Sequence, residues 1–82
     1  MKKHNTRFYG STAAAKRVGI SLRQLYYWVD KLRVIPLRLL RHGGREFRRF
    51  TPRDLKKLRE MKKQIRRGFT IRAALRKVKG KR

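Results

Sequence analysis

The stretch Ala13–Trp28, AAAKRVGISLRQLYYW, decides the fold. Ala13, Ala14 and Ala15 are strong helix formers, small enough to let a second helix approach. The pattern predicts a first helix from Thr12 to Val18, capped by Ser11 or Thr12 and ended by Gly19 in a left-handed conformation. A second helix starts soon after. Ser21 is its N-cap, Gln24 stands where a capping box needs it, and Ile20 and Leu25 occupy the positions of a hydrophobic staple. Leu22, Leu25, Val29 and Leu32 then recur at helical spacing, with Trp28 beside them, while Arg23, Gln24, Tyr27 and Lys31 lie towards the other face. Two helices joined through Val18-Gly19-Ile20-Ser21 read as a helix-turn-helix.

In that motif the second helix enters the major groove of DNA, and its free backbone N–H groups face phosphate. Arg23 and Gln24 fall in its first turn, after Ser21. Arginine can bond guanine at two atoms and glutamine can do the same to adenine. Tyr27, one turn on and on the face of Arg23, is placed to bond a phosphate. Lys16 and Arg17, at the end of the first helix, complete this part of the candidate DNA-binding set. The competing reading is an ordinary surface, since many capped amphipathic helices expose Arg and Gln.

Charge favours DNA. The 82 residues carry 27 Lys and Arg against four Asp and Glu, a formal net charge of +23. Residues 1–40 hold nine of the basic residues against Asp30 alone, and residues 41–82 hold eighteen against Glu46, Asp54 and Glu60. Both halves are basic, so this is not a neutral domain with a basic tail. Self-repulsion at this charge opposes compaction unless a polyanion relieves it. The length allows one domain with one thin core, and a hydrophobic fraction of 39% suffices to build it.

Other classes lack material. There is no cysteine, hence no disulfide and no thiol chemistry. His4 and His42 lie far apart without a third ligand nearby, so they read as solvated histidines and no metal or cofactor is expected. The dispersed carboxylates form no catalytic motif, and the chain does not read as an enzyme. Met1–Gly10 has no apolar segment of a signal peptide, and no apolar run approaches the roughly 20 residues of a membrane span. A cytoplasmic, nucleoid-associated protein without a membrane partner is expected.

Pro36 closes the second helix. Leu37–Leu40 and Glu46–Phe50 flank Arg41-His42-Gly43-Gly44-Arg45 and predict a hairpin with Arg41, His42 and Arg45 at its tip. Thr51 caps a third helix, with Pro52 at its first position, Asp54 in its first turn, and Phe50 and Leu55 as a staple. Its apolar stripe is Leu55, Leu58, Met61 and Ile65, and Gly68 ends it. Thr70 caps a fourth helix with Ile71, Ala74, Leu75 and Val78 on one face. Phe8, Tyr9, Trp28, Phe47, Phe50 and Phe69 read as core and staple residues rather than base-stacking platforms. The basic rows Lys56, Arg59, Lys63, Arg66 and Lys57, Lys62 read as a face partly solvated and partly facing phosphate.

Three segments resemble the MerR family of regulators. Ala13–Leu25 followed by Tyr26-Tyr27-Trp28 looks like its helix-turn-helix; Glu46–Leu55, EFRRFTPRDL, like its passage from wing to third helix; and Gly68-Phe69-Thr70-Ile71 like its link between third and fourth helices. The likeness covers about residues 8–78. It implies a mainly α winged helix-turn-helix, ordered helix, helix, hairpin, helix, helix. It also implies DNA contact by Arg23 and backbone contacts by Tyr27 and Arg48, and Arg41, Arg45 and Arg49 join the expected wing contacts. Phe50 stands where the family usually has Tyr, Trp28 where a second Tyr is common, and Glu46 where Gly is common, which implies a longer, differently shaped wing.

The expected division is a basic arm at 1–10, the winged helix-turn-helix at 11–78 and a basic tail at 79–82. The expected function is sequence-specific binding of double-stranded DNA as a transcriptional regulator. Two alternatives stay open: a recombination or excision accessory, or architectural, DNA-binding protein, and an RNA-binding, ribosome-associated protein. Only Lys79–Arg82 follows the fourth helix, without the long dimerisation helix and effector domain of full-length family members. The expectation is therefore a free monomer, with no small-molecule effector, whose copies can touch once DNA neutralises their charge.

Overall fold

A computed structural model describes residues 8–79. Helix α1 spans Ser11–Val18, one residue earlier than the spacing predicts, and its N-cap is Gly10 rather than Ser11 or Thr12. The cause lies just upstream. Tyr9 and Phe50 exchange two backbone hydrogen bonds of 2.8 Å, which holds the chain extended and leaves the turn into the helix to Gly10. Tyr9, in the stretch expected as a basic arm, is therefore held by an isolated bridge to Phe50. His4 lies outside the described residues. At the other end Gly19, at φ 85°, closes α1, and the amides of Gly19 and Ile20 both donate to Ala15 O.

Helix α2, Leu22–Tyr26, starts at Ser21, whose Oγ accepts from the Gln24 amide at 3.0 Å. No return bond from the Gln24 side chain completes the box, so that amide group stays exposed. The continuous α-helix expected onward to Leu32 does not form. Residues Tyr27–Lys31 make a π turn, in which the Leu32 amide donates to Tyr27 O. Arg33 follows at φ 54°, and the Val34 amide reaches back to Trp28 O at 3.0 Å. The wider turn lets adjacent Trp28 and Val29 both enter the core, directly followed there by Val34 and Ile35. Leu22, expected in the apolar stripe, is exposed.

Strands β1, Leu39–His42, and β2, Arg45–Arg48, pair antiparallel with Leu40 opposite Phe47 and His42 opposite Arg45. Gly43 and Gly44 make the turn at φ 59° and 82°, a conformation in which side chains are strained. The strands lie nearer the tip than the predicted arms, because Phe50 leaves the hairpin to pair with Tyr9.

Helix α3, Pro52–Arg66, carries a complete capping box: the Asp54 amide donates to Thr51 Oγ1 at 3.1 Å and the Thr51 amide to Asp54 Oδ2 at 3.0 Å. Helix α4, Ile71–Lys79, is capped by Thr70 Oγ1, which accepts from the Ala73 amide, and it extends one residue into the expected tail. Helix α1 packs against α2 and α3, and α3 against α4, around one core that includes Ala14, Val18, Leu25, Trp28, Phe50, Leu58, Met61 and Ala74. Ile71 from the predicted α4 stripe is exposed. Among the aromatics, Trp28 and Phe50 are buried and Tyr9 partly so, but Phe8, Phe47 and Phe69 are exposed. These three sit before α1, on the projecting hairpin and in the α3–α4 turn, beyond the reach of so small a core.

Candidate nucleic-acid interface

The N-cap at Ser21 and the burial of Leu25, Trp28 and Val29 fix which side of α2 faces out. Arg23, Gln24 and Tyr27 stand on that side, all exposed. None of the three side chains makes a hydrogen bond or ion pair among the described residues. Ser21 is exposed, but its hydroxyl is engaged with the Gln24 amide.

The lack of local acid is a property of the whole fold. All four carboxylates are occupied: Asp30 by Arg48 at 2.6 Å, Glu46 by Arg41, Asp54 by Arg38, and Glu60 by Gln64 Nε2 at 2.7 Å. No acid remains to neutralise the outer face of α2. A surface of this kind attracts polyanions and is sensitive to salt.

The hairpin arginines are differently placed. Arg41 is exposed and held by cross-strand Glu46. Arg45 lies over the Phe47 ring, 5.7 Å from its centroid. Arg48 bonds Asp30 on the π turn and stacks 4.5 Å from the Tyr26 centroid. Arg49 stacks 4.4 Å from the centroid of Phe8. The Nε groups of Arg48 and Arg49 are buried without an acceptor among the described residues. The hairpin base is fixed by Arg38, whose Nε and Nη2 meet the two Asp54 carboxylate oxygens at 3.0 and 3.2 Å. Asp54 raises the Arg38 guanidinium above its usual value, first through the hydrogen bond and then through its charge. Arg38 thus remains a cation at any ordinary pH.

On α1, Lys16 is exposed, while Arg17 stacks on Tyr9 at 4.7 Å. Part of the basic row on α3 has structural work. Lys62 Nζ donates to Gly19 O at 2.8 Å, and Arg59 Nε reaches Arg17 O at 3.4 Å, so both cations sit at the negative end of α1. Lys56, Lys63 and Arg66 remain exposed.

Sequence reasoning missed Arg38, Asp54 as its partner, Tyr26 and Asp30. It did not pair Glu46 with Arg41 either, although the two residues flank the Gly-Gly turn symmetrically. Asp30 and Arg48, eighteen residues apart, meet only through packing. No group of three or more His, Cys, Asp or Glu gathers among the described residues, and no helix there is long and apolar enough to cross a membrane.

The family model of MerR HTH regulatory proteins matches residues 9–81. A solved structure is also similar: HiNmlR, a MerR family regulator lacking the sensor domain, bound to promoter DNA. Its TM-score is 0.70 at 28% sequence identity, over 89% of this chain and 53% of that one. The chain thus spans about half the length of that regulator. A comparison with curated proteins gives no match. The family match runs through both helices of the motif, the hairpin, α3 and α4, so it rests on the whole arrangement. The chain belongs to the MerR family of helix-turn-helix regulatory proteins.

Proposed function

We propose that the chain binds double-stranded DNA in a sequence-dependent manner as a transcriptional regulator, with α2 in the major groove and the hairpin on the flanking backbone or minor groove. One observation carries this reading. Arg23, Gln24 and Tyr27 share an exposed, acid-free face of a capped helix, in a chain of net charge +23. The similar structure of a MerR family regulator bound to promoter DNA supports it.

Within this reading Arg23 and Gln24 meet base edges, and Ser21 sets the N-terminus of α2 against phosphate. Lys16, Tyr27, Arg41 and Arg45 reach the backbone. Arg17, Arg48 and Arg49, stacked on rings, act from fixed positions. The protein works by occupying DNA rather than by catalysis. The free chain is a monomer, since two copies repel at this charge, and neighbouring copies touch only once phosphate neutralises them. A monomer needs no two-fold operator, so direct repeats or isolated half-sites are the expected targets.

In-vitro selection of bound duplexes tests the reading. A recovered motif that outcompetes duplex RNA is the expected result, because the deep, narrow major groove of RNA excludes a helix. Failure to enrich any motif, or stronger binding to RNA, overturns it. Sedimentation of the free protein and titration onto DNA of increasing length test the assembly. A stable dimer without DNA, or strict need for an inverted repeat, overturns the monomer.

A further inference from the structure

We propose that the cavity between the end of the π turn, the start of the hairpin, α3 and α4 is a binding site for a small amphipathic anion, a molecule with an apolar body and one carboxylate, sulfonate or phosphate head. The site is separate from the exposed face of α2, and its assignment does not depend on the DNA-binding reading. The sequence gives no sign of it, because residues 33–37, 48, 57 and 79 meet only in the folded chain.

The cavity measures about 630 Å³, within the range of about 300–1,000 Å³ typical of small-ligand sites. Val29, Val34, Ile35, Pro36 and Leu37 give it an apolar lining. Val34 and Ile35 belong to the core and hold the wall in place, whereas Leu37 is 52% exposed, the most exposed of the large apolar side chains described. Arg33, Arg48, Lys57 and Lys79 give it a cationic lining, and Asp30 is its one acid among the described residues. Arg48 gives its Nη2 to Asp30 at 2.6 Å and keeps a buried Nε without an acceptor among the described residues. Arg33, Lys57 and Lys79 make no hydrogen bond or ion pair there. Cations from three separate elements thus converge on one apolar concavity, and an anion relieves their mutual repulsion.

The backbone at Arg33 is an independent observation. Among the described residues it is the one non-glycine residue at positive φ, 54°. The chain has to turn this way for the Val34 amide to reach Trp28 O. Glycine would make the same turn without strain. The fold therefore requires the conformation but not the arginine, and the side chain kept in spite of the strain is one that lines the cavity.

Charge and shape select the occupant. All four side-chain carboxylates of the chain are engaged, so neither this chain nor a second copy offers one to the cavity. A duplex phosphate brings charge without an apolar body, and the cavity stands at the far end of α2 and the π turn from Ser21 and Arg23. A bare inorganic anion leaves Pro36 and Leu37 uncovered. An apolar body with one anionic head satisfies both linings at once.

The test uses the full chain at about 0.15 M salt, where attraction between distant exposed charges is screened. The probe is naphthalenesulfonate. Methanesulfonate carries the head without the body, and naphthalenemethanol the body without the charge. Titration followed by backbone amide NMR shifts should show saturable binding that moves residues 33–37, with an affinity about tenfold above either control. Arg33→Gly should weaken the probe by about tenfold. It should keep its fold by circular dichroism, since glycine suits φ 54°. Lys57→Gln, an exposed change on α3, should weaken the probe as well. Arg72→Gln, which removes a cation outside the lining, should leave the affinity unchanged. Equal weakening by all three variants overturns the site and assigns the binding to net charge. Shifts scattered over the basic surface, or full affinity in Arg33→Gly, overturn it too. An acidic, leucine-rich peptide that moves residues 33–37 where the probe does not bind also overturns the small ligand and assigns the cavity to a protein partner. No arm contains DNA, so failure of the site is distinct from failure of the DNA-binding reading.

Discussion

The second helix and the hairpin both present arginine to the outside, under opposite conditions. Arg23 on α2 is exposed and has no partner among the described residues, and it stands on an anchored backbone: Leu25, Trp28 and Val29 are buried beneath it. On the hairpin the backbone projects and the side chains are occupied. Arg41 and Arg48 are held by acids, and Arg45 and Arg49 by rings. The difference suggests two ways to prepare a cation for DNA. One keeps the side chain mobile on a rigid support, suited to reading varied base edges. The other stiffens a projecting ribbon by spending its side chains on internal contacts, suited to pressing on a backbone whose shape varies little.

The largest effect should come from removing the rigid support. Trp28→Ala deletes a buried aromatic and should cost about 3–5 kcal/mol, close to the whole stability of so small a domain. Phe47→Ala on the hairpin should shift stability by no more than about 0.5 kcal/mol. Thermal unfolding of both variants tests whether anchoring differs between the two regions as stated, and comparable losses would break the comparison.

Arg23→Ala should come next, with a loss of about 1–3 kcal/mol on a selected duplex and a relaxed preference at one base pair. Equal weakening on selected and scrambled duplexes, read by fluorescence anisotropy, would reduce Arg23 to a phosphate contact and bring it closer to the hairpin arginines. Asp54→Ala removes the return bond of the α3 cap and releases Arg38. About 1–2 kcal/mol of stability should go with the cap. Because the damage falls at the base of the hairpin, the base-pair preference set by α2 should survive in a repeated selection.

Smaller effects sharpen the hairpin side. Arg48→Ala should weaken binding to all duplexes alike and lower the salt slope by about one unit, provided the guanidinium meets phosphate while keeping Asp30. An unchanged slope with a lower melting temperature would assign Arg48 wholly to holding the hairpin. Lys62→Met should be the mildest, about 0.3–1 kcal/mol of stability from the end of α1, with DNA affinity little changed. A large loss of affinity would move Lys62 from the fold to the interface.

Local chemistry was enough to read most of the element order. Caps at Ser21, Thr51 and Thr70, glycines at 19, 43, 44 and 68, and apolar spacing along α3 act within a few residues and so are visible in one dimension. The outward set Arg23, Gln24 and Tyr27 was legible for the same reason: once a helix and its buried stripe are placed, the other face follows. The π turn was not, because its cause is the demand that Trp28, Val29, Val34 and Ile35 reach one core together. Nor was the start of α1, which depends on Tyr9 pairing with Phe50 across the domain.

The same line divides the charges. That the chain seeks a polyanion follows from 27 basic residues against four acids, whatever the fold. Which of the other cations are tied up within the fold was decided by tertiary structure. Packing brings Asp30 to Arg48, Asp54 to Arg38 and Lys62 to the end of α1, and leaves Phe8, Phe47 and Phe69 outside a core too small to hold them. Local propensity acts over a turn or two of chain, whereas ion pairs and burial are settled by distances in space, and those exist only once the helices have packed.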